Sequence, residues 1–532
     1  MLPEGLTTAE IDKLPSRRFT GFDWSEHPAV VALIDELFDE YLIWAKEVDG
    51  QQRINKEKEL KEHLTCFVLE AFRTHNSNPN VAMSVSLGNE TISNYQDNIY
   101  RPKHISFRLI NHIYQFLSQE QFIYLPLGEM GRATGATSHY RSTRVMITDT
   151  LLKRIKHYKI NRFMITTFPT PPQIIILRKR KCKGETTGEL EEYKDTDQIK
   201  LLRGRLKLTN DFIDKHLINL EITDEQEDEL AARMSKREND DAKPSGIDFT
   251  NKSLRRVFNN SSFEQGGRLY GGFWQHIFKE YRGFITINDK RTIQLDYSGM
   301  HFNIMYTKKG LPTPEDPYQL DGYDTSLRAD IKQGFNTIVN CGTEKQAIGA
   351  IDKAIRDGEL EAGIDNGEKL LTEFKAKHPD IVEYIASGEG VKLQFIDSEI
   401  AQKVLLKGRL AKVCILPIHD GFITNTGNEA CLRSWMNEAF AQIVGGEIEV
   451  KTESIYLELI TGSESAETFL VTNDDGSLVK NQEVLSGKAK SYSAIRSVES
   501  IVETLGKTSR YEIRRAEWLA ARGIDKCRWM ER

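Results

Sequence analysis

Residues 292–306 read Thr-Ile-Gln-Leu-Asp-Tyr-Ser-Gly-Met-His-Phe-Asn-Ile-Met-Tyr, a stretch built around one carboxylate. The alternation of Ile293 and Leu295 is typical of a β-strand that buries one face. The Ser-Gly pair that follows provides a helix cap ahead of further apolar positions. The pattern predicts a strand that ends near Asp296, with its carboxylate directed at whatever lies above the sheet.

A second stretch, residues 413–424, reads Val-Cys-Ile-Leu-Pro-Ile-His-Asp-Gly-Phe-Ile-Thr. Two short apolar runs flank a tight turn, which predicts a β-hairpin with Asp420 at its tip. Taken alone, an aspartate or a histidine in a turn, such as His419, is more often structural than functional. Two strand-borne aspartates brought together, however, are what a pair of Mg²⁺ ions needs for in-line phosphoryl transfer.

The composition is typical of a globular intracellular protein. The chain has 532 residues, of which 39% are apolar and 28% charged, and this length allows about two to four domains. No apolar run approaches the length of a membrane span and the N-terminus lacks an apolar signal core, so we expect a cytoplasmic protein without a membrane partner. The six cysteines are scattered without a Cys-x-x-Cys pair, which predicts free thiols.

The net charge is −6, but the charges are unevenly distributed. Between Arg132 and Lys183 there are thirteen Lys or Arg residues and one acid, Asp149. A basic stripe inside a mildly acidic protein is typical of a polyanion site, which makes Arg141 and Arg144 candidate nucleic-acid contacts. The alternative is a solvated basic face on an ordinary helical domain.

Composition and periodicity divide the chain into five segments. Residues 103–184 contain helical patterns followed by a basic hairpin of two strand-like runs, residues 163–168 and 173–177, which indicates a winged-helix-like nucleic-acid module. The predicted segments are a helical N-terminal region (1–102), the winged-helix-like module (103–184), a linker or helical connection (185–250), the motif-rich region (251–460) and a C-terminal helical tail (461–532).

The motif-rich region begins with a glycine-rich segment at residues 266–275, Gly-Gly-Arg-Leu-Tyr-Gly-Gly-Phe-Trp-Gln. Glycines let a backbone approach a partner closely, while Arg268 and the aromatic residues suit nucleic acid.

Residues 327–342 form a helical pattern that ends at a glycine. Arg328 and Lys332 are four residues apart and therefore share a helix face, which Asn336 and Asn340 extend. Two cations in line can bind a triphosphate while the polar end of the helix contacts a sugar or base. The alternative is a solvated face with an ordinary ion pair.

The order of four short motifs resembles the palm and fingers of the family A DNA polymerases. The motifs are Gly-Arg-Leu at 267–269, Asp-Tyr-Ser at 296–298, Arg-x-x-x-Lys at 328–332 and His-Asp at 419–420. The resemblance covers about residues 265–440 and is carried by the order of the motifs rather than by any one of them. Single-subunit phage RNA polymerases share the same palm and carry a Gly-Arg-x-Tyr element similar to residues 267–270.

The resemblance implies an α+β fold of the right-hand polymerase type, with a small antiparallel palm sheet and helical fingers. It implies that Asp296 and Asp420 hold two Mg²⁺ ions, with Mn²⁺ as a substitute, helped by the backbone carbonyl of Tyr297. His419 would support the end of the growing strand. The implied contacts to the incoming nucleotide are Arg328, Lys332, Asn336, Asn340, His301 and Tyr297, and those to the primer–template are Arg268 and Gln275.

The chain departs from the family pattern at three positions. His301 stands where the DNA polymerases carry a glutamate that blocks a ribose 2′-hydroxyl, Asn340 replaces a tyrosine, and Gly421 replaces a glutamate. The motifs are also closer together than in the family, and no acidic cluster typical of a 3′–5′ exonuclease precedes them. The choice between deoxynucleotides and ribonucleotides, the template, the need for a primer and the oligomeric state therefore stay open.

We expect a template-directed DNA polymerase that uses nucleoside triphosphates and a primer–template, a function that would suit a phage or mobile element. Three alternatives remain: a single-subunit RNA polymerase-like enzyme, a nucleic-acid-binding replication initiator with a decayed palm, and an aspartate-dependent hydrolase. The hydrolase leaves the cationic helix without a role.

Overall fold

A computed structural model of the chain describes residues 14–49, 56–85, 99–124, 143–182, 187–235, 246–360, 363–364, 366–453, 471–472, 478–479 and 509–525. The chain divides into two compact units that alternate along the sequence. Unit 1 comprises residues 1–173, 217–252 and 505–532, and unit 2 comprises residues 174–216 and 253–504. Within the described ranges, no helix is both long and apolar enough to cross a membrane.

The elements follow one another in an α+β order. The helices are α1 (Pro28–Asp49), α2 (Glu57–Ser77), α3 (Phe107–Gln119), α4 (Asp149–His157), α5 (Asp197–Asp214), α6 (Asp224–Ser235), α7 (Met300–Lys308), α8 (Arg328–Asn340), α9 (Glu344–Arg356), α10 (Gly367–Lys377), α11 (Gly390–Leu410), α12 (Glu429–Val444) and α13 (Ser509–Ala521). The strands are β1 (Ser16–Arg18), β2 (Asp23–Trp24), β3 (Ala82–Val85), β4 (Ile123–Tyr124), β5 (Thr143–Ile147), β6 (Thr166–Thr167), β7 (Ile175–Leu177), β8 (Ile218–Leu220), β9 (Arg255–Asn259), β10 (Ser262–Tyr270), β11 (Ile285–Ile287), β12 (Lys290–Tyr297), β13 (Leu416–Ile418), β14 (Gly421–Asn425), β15 (Val450–Glu453), β16 (Val471–Thr472) and β17 (Leu478–Val479). Short 3₁₀ helices cover Arg162–Met164, Phe273–Gln275, Lys279–Phe284, Thr325–Leu327, Pro379–Tyr384 and Thr426–Asn428.

Unit 1 packs helices α1 to α4 around a small sheet with the strand order β1-β3-β5-β4. The prediction of a mainly helical region over 1–102 is therefore only partly right, since β1, β2 and β3 lie within it. All four residues of β3 are buried, so this strand lacks the apolar–polar alternation that identifies a strand in sequence.

The basic hairpin expected from residues 163–168 and 173–177 does not form. Strand β6 pairs antiparallel with β2, whereas β7 pairs in parallel with β9. The two runs thus join different sheets, and the segment predicted as one winged-helix-like module is divided between the two units. Arg144 lies on β5 of unit 1, while Arg141 lies outside the described residues.

The C-terminal helix α13 is an integral part of unit 1. The buried side chain of Arg514 donates hydrogen bonds to Asn219 Oδ1 at 2.7 Å and to the Glu227 carboxylate at 2.8 and 2.9 Å. Trp518 packs with Leu217 in a small apolar cluster. Helix α13 thus belongs to the core of the N-terminal unit. The helical tail predicted over 461–532 is only partly right, since β16 and β17 within it form an antiparallel pair.

The central strand of unit 2 is β12. It pairs antiparallel with β14 and, from its other edge, with β15, while β13 and β14 form a hairpin. These pairings confirm the predicted strand before Asp296 and the predicted hairpin around Asp420. Helix α7 begins at Met300, directly after Gly299, which takes the left-handed φ of 57° that glycine accommodates without strain.

Aromatic packing fixes the helices of unit 2 against one another. The rings of Phe302 on α7 and Phe335 on α8 stack with centroids 4.0 Å apart, and Phe335 meets Phe374 of α10 at 5.5 Å. Helix α11 lies against strand β10; Arg256 bonds both to the Gly267 carbonyl at 2.8 Å and to Ser398 Oγ on α11 at 2.8 Å. None of the five described cysteines forms a disulfide.

Candidate active site

The structure places Asp296 directly above the hairpin turn. Asp296 lies opposite Gly421 in the β12–β14 register. A Cβ atom on Gly421 would lie 1.7 Å from Asp296 Oδ1, so the carboxylate occupies the space that any other residue would fill. Glycine at position 421, where the family carries glutamate, is therefore required by this packing.

Asp420 is the neighbour of Asp296 across the same pair of strands. Its carbonyl accepts a hydrogen bond from the Tyr297 amide at 3.4 Å, so the two aspartates, more than 120 positions apart in sequence, meet at one end of the sheet. His419 precedes it with a φ of 55°, a left-handed conformation that is rare for a non-glycine residue. Such a conformation turns the His-Asp pair sharply between the two strands.

Asp296 sits among negative charge. Burial, followed by the charges of Glu453 and Asp420, raises the pKa of Asp296 from 3.8 to about 7. Gln294, two residues earlier on the same face of β12, opposes this shift by donating its amide to both carboxylate oxygens at 3.1 Å. Glu453 lies opposite Gln294 on β15. We call Gln294, Asp296, Asp420 and Glu453 the acidic floor.

The acidic floor fits a site for Mg²⁺ that is completed by a substrate. Mg²⁺ is usually bound by one or two carboxylates together with substrate phosphates and waters, rather than by a full protein cage. Among the described residues, no group of three or more His, Cys, Asp or Glu side chains is arranged to hold a metal. The buried Gln294 Oε1 has no hydrogen-bond partner in the described structure, so the floor also has an oxygen to offer to a bound ion or its water.

Arg268 and His301 meet at a buried carboxylate that the sequence did not indicate. The Arg268 Nε atom lies 3.0 Å from Asp397 Oδ2 and 3.2 Å from Asp397 Oδ1. His301 Nε2 lies 3.4 Å from both Asp397 Oδ2 and Arg268 Nη2. The Asp397 side chain is only 1% exposed, against 19% for Arg268, so the carboxylate is the fixed point of this cluster.

The strand that carries Arg268 is tied to the hairpin turn. Gln275 donates its side-chain amide to the carbonyls of Leu269 at 3.1 Å and Pro417 at 2.9 Å, and its Oε1 accepts from the Gly271 amide at 2.9 Å. These internal bonds use both ends of the Gln275 amide, and the nucleic-acid contact of this residue stays a prediction. Its position is structural.

An exposed aromatic pair stands at the end of this strand. The rings of Tyr270 and His419 meet edge to face with centroids 5.5 Å apart, and both side chains are exposed. Aromatic side chains in such a position can stack on bases or sugars. His419 is thus available to a partner, as its predicted role requires.

Helix α8 presents Arg328, Lys332, Asn336 and Asn340 on one exposed face, opposite the buried Ile331, Phe335 and Ile338. We call these four exposed residues the cationic face. They share a face, as their spacing predicts.

Arg328 is already paired. Its Nε lies 2.6 Å from Asp316 Oδ2 and its Nη2 lies 3.2 Å from Asp316 Oδ1. The cations of Arg328 and Lys332 both lie over the ring of Tyr318, at 5.3 and 5.9 Å from its centroid. Burial raises the pKa of Tyr318 to about 12, and Asp420 is among the charges that contribute. Tyr318 therefore lies beneath both cations of the cationic face.

Two predicted substrate contacts are engaged internally. The Asn340 amide donates to the carbonyl of Asn336 at 2.7 Å. The Tyr297 hydroxyl donates to the carbonyl of Met436 at 2.6 Å in the core. The side chain of Tyr297 is therefore directed away from the floor, and only its backbone can serve the site.

Sequence reasoning missed Gln294, Glu453, Asp397 and Asp316. Gln294 could have been found, since a residue two positions before Asp296 on a strand shares its face. Glu453 and Asp397 required the strand pairing and the helix packing, which no local pattern carries. Asp316 lies in the irregular segment before α8, the helix that carries its partner Arg328.

Comparison of the chain with models of protein families and with curated proteins gave no match.

Proposed function

We propose that this chain is a template-directed nucleotidyltransferase of the family A DNA polymerase type, with unit 2 as its palm and fingers. It joins nucleoside triphosphates to a 3′-hydroxyl. The observation that carries the proposal is that Asp296, at the end of β12, and Asp420, in the turn before β14, meet at one end of the sheet.

The acidic floor supports this proposal because its charges are costly without a cation. Burial, followed by the charges of Glu453 and Asp420, favours protonation of Asp296. A structural role would be better served by uncharged residues of similar size. An arrangement that is electrostatically unfavourable when empty is typical of a site that binds a cation.

The cationic face supports a triphosphate as the partner of the floor. Arg328 holds Asp316 through two hydrogen bonds, the fork geometry with which arginine also binds phosphate. Because this pair is partly exposed, phosphate oxygens can replace the Asp316 carboxylate without burying an unpaired charge. A hydrolase that uses two aspartates would not need this helix.

The residues of the chain then have distinct tasks. Bound divalent cations supply the Lewis acidity that activates a hydroxyl and offsets the charge of departing pyrophosphate. Asp296 and Asp420 provide the anionic oxygens that hold these cations, and Asp296 must lose its proton to do so. Arg328 and Lys332 bind the triphosphate, while His301 stands beside the position of the sugar. Tyr270 and His419 face the end of the primer strand.

Primer extension by the purified full chain tests the proposal. Labelled deoxynucleotides and ribonucleotides are offered separately with Mg²⁺ on a primed template, and the parent is compared with Asp420→Asn. We expect incorporation by the parent and a loss of at least about a thousandfold in Asp420→Asn, the scale of losses when charge stabilisation of a transition state is removed.

Asp380→Asn provides the matched control, since Asp380 is an exposed aspartate of the same unit, and it should extend primers as the parent does. Incorporation that persists in Asp420→Asn would contradict the proposal. Tight nucleic-acid binding without incorporation of either nucleotide would favour a replication initiator. Incorporation of ribonucleotides alone would identify an RNA polymerase-like enzyme.

A further inference from the structure

Arg268 is bound to one acidic residue and lies on a strand held beside the turn that carries another. Its guanidinium is hydrogen-bonded to Asp397, while Gln275 ties strand β10 to Pro417 just before the hairpin turn. Two residues along β10 from Arg268, the ring of Tyr270 meets that of His419, the neighbour of Asp420, with centroids 5.5 Å apart. Burial lowers the pKa of Arg268, but the charges of Asp397 and then of Asp420 outweigh this and raise it, in agreement with that placement.

Asp420 would accept this arginine if it were released. In the part of the chain that the structure describes, Asp420 forms no salt bridge. An arginine side chain is long and its guanidinium binds a carboxylate with two hydrogen bonds. A guanidinium placed on Asp420 would occupy the oxygens that a divalent cation needs.

We propose that Asp397 is a positioning residue that keeps Arg268 off the Asp296–Asp420 pair, so that the pair stays free to bind divalent cations. The inference rests on the proposed function and extends it to a residue outside the motifs. Asp397 is suited to this task because it is itself buried on helix α11, whereas Arg268 is partly exposed. His301 is the third member of this cluster, since its Nε2 lies 3.4 Å from Asp397 Oδ2.

Binding of Mn²⁺ alone, measured by electron paramagnetic resonance on the full chain without nucleotide or nucleic acid, tests this inference. In Asp397→Asn we expect Mn²⁺ affinity to fall about tenfold, since a competing cation a few ångströms away is worth one or more kcal/mol. In the double variant Asp397→Asn/Arg268→Gln the competitor is gone, and affinity should return to the parental value or exceed it.

Parental affinity in Asp397→Asn, or a double variant as weak as Asp397→Asn, would overturn the inference. Circular dichroism and melting verify that each variant folds. If Asp397→Asn does not fold, the variants Arg268→Lys and Arg268→Gln test the inference with Asp397 unchanged. Lysine cannot form the two-bonded pair with Asp397, so Arg268→Lys should bind Mn²⁺ more weakly than Arg268→Gln; equal affinities would contradict the inference.

Asp420→Asn separates this inference from the proposed function. If the parent binds Mn²⁺ and Asp420→Asn does not, the site exists and the Asp397 variants test only the positioning role. If Asp420→Asn binds Mn²⁺ as the parent does, the ion is held elsewhere and the proposed function itself fails.

Discussion

Two arginine–aspartate pairs of unit 2, one beside the acidic floor and one at the cationic face, have opposite surroundings. Beside the floor, Asp397 is 1% exposed and Arg268 19%, whereas at the face Asp316 is 34% exposed and Arg328 45%. The buried pair is held by packing on several sides, while the exposed pair can exchange its partners. A site that must assemble around metal and triphosphate thus combines a rigid half with an exchangeable half.

Buried and exposed ion pairs contribute to a binding site in different ways. A buried ion pair adds little net stability but cannot lose one partner without leaving a charge in a poor solvent. An exposed pair contributes little to stability and leaves its partners available. Rigidity at the floor and availability at the face should therefore be separable by experiment.

The largest expected effect is on stability. Asp397→Ala leaves Arg268 without its buried partner and should lower the free energy of unfolding by about 3–5 kcal/mol. Asp316→Ala removes an exposed partner of Arg328 and should lower it by less than about 1 kcal/mol. Urea denaturation followed by circular dichroism measures both. Equal losses in the two variants would remove the distinction between the two regions.

The next largest effect is expected from a side chain added beside the Asp296 carboxylate. In Gly421→Ala the new methyl group collides with the Asp296 carboxylate, so we expect incorporation to fall about a hundredfold, as for other small displacements of catalytic groups. Gly427→Ala is the matched control, because a Cβ on Gly427 meets nothing within 4 Å. Normal incorporation by Gly421→Ala would show that the position of Asp296 is not critical.

A smaller effect is expected at the cationic face. Arg328→Ala should raise the KM for the nucleotide about tenfold to a hundredfold, the range for the loss of hydrogen bonds to a charged group. Its free energy of unfolding should change little, because Asp316 remains exposed to water. Steady-state kinetics at varied nucleotide concentration measure the change. A loss of kcat without a change in KM would instead assign Arg328 to the chemical step.

The smallest effect concerns pH. The folded-state pKa of Asp296, about 7, lies above its ordinary 3.8. Ionisation therefore opposes folding, and the metal-free protein should lose on the order of 2 kcal/mol as the pH rises from 3.8 to about 7, allowing for solvent screening. Melting curves should show a smaller loss in Asp296→Asn, and Mg²⁺ should raise the melting temperature more at pH 8 than at pH 5.5.

A melting temperature that responds to Mg²⁺ equally at both pH values would contradict this sign. The control is again Asp380→Asn, which should follow the parent at every pH.

Local patterns predicted the parts of the fold that local physics decides. The strand before Asp296, the helix start after Gly299, the hairpin around Asp420 and the shared face of Arg328 and Lys332 follow from periodicity and turn chemistry. The pairing of β6 and β7 with different partners could not be predicted, since pairing depends on distant strands. The position of α13 in the N-terminal unit is equally non-local.

The candidate site shows the same division. Spacing indicates which side chains share a face, so the motifs could be read as one site, but it cannot show what each side chain contacts. Gln275 is a residue type that suits nucleic acid, yet its side-chain amide is hydrogen-bonded to two carbonyls and one backbone amide. Asp397 has no motif and yet holds Arg268, because helix packing alone brings it there.

The proposed function requires that Asp296 and Asp420 share divalent cations. Anomalous diffraction from crystals of the full chain grown with Mn²⁺ and a non-hydrolysable nucleoside triphosphate tests it most directly. We predict manganese peaks between the two carboxylates at about 2.0–2.2 Å from their oxygens, close to the distances of Mg²⁺ sites. Manganese bound elsewhere, with neither aspartate among its ligands, would contradict the account.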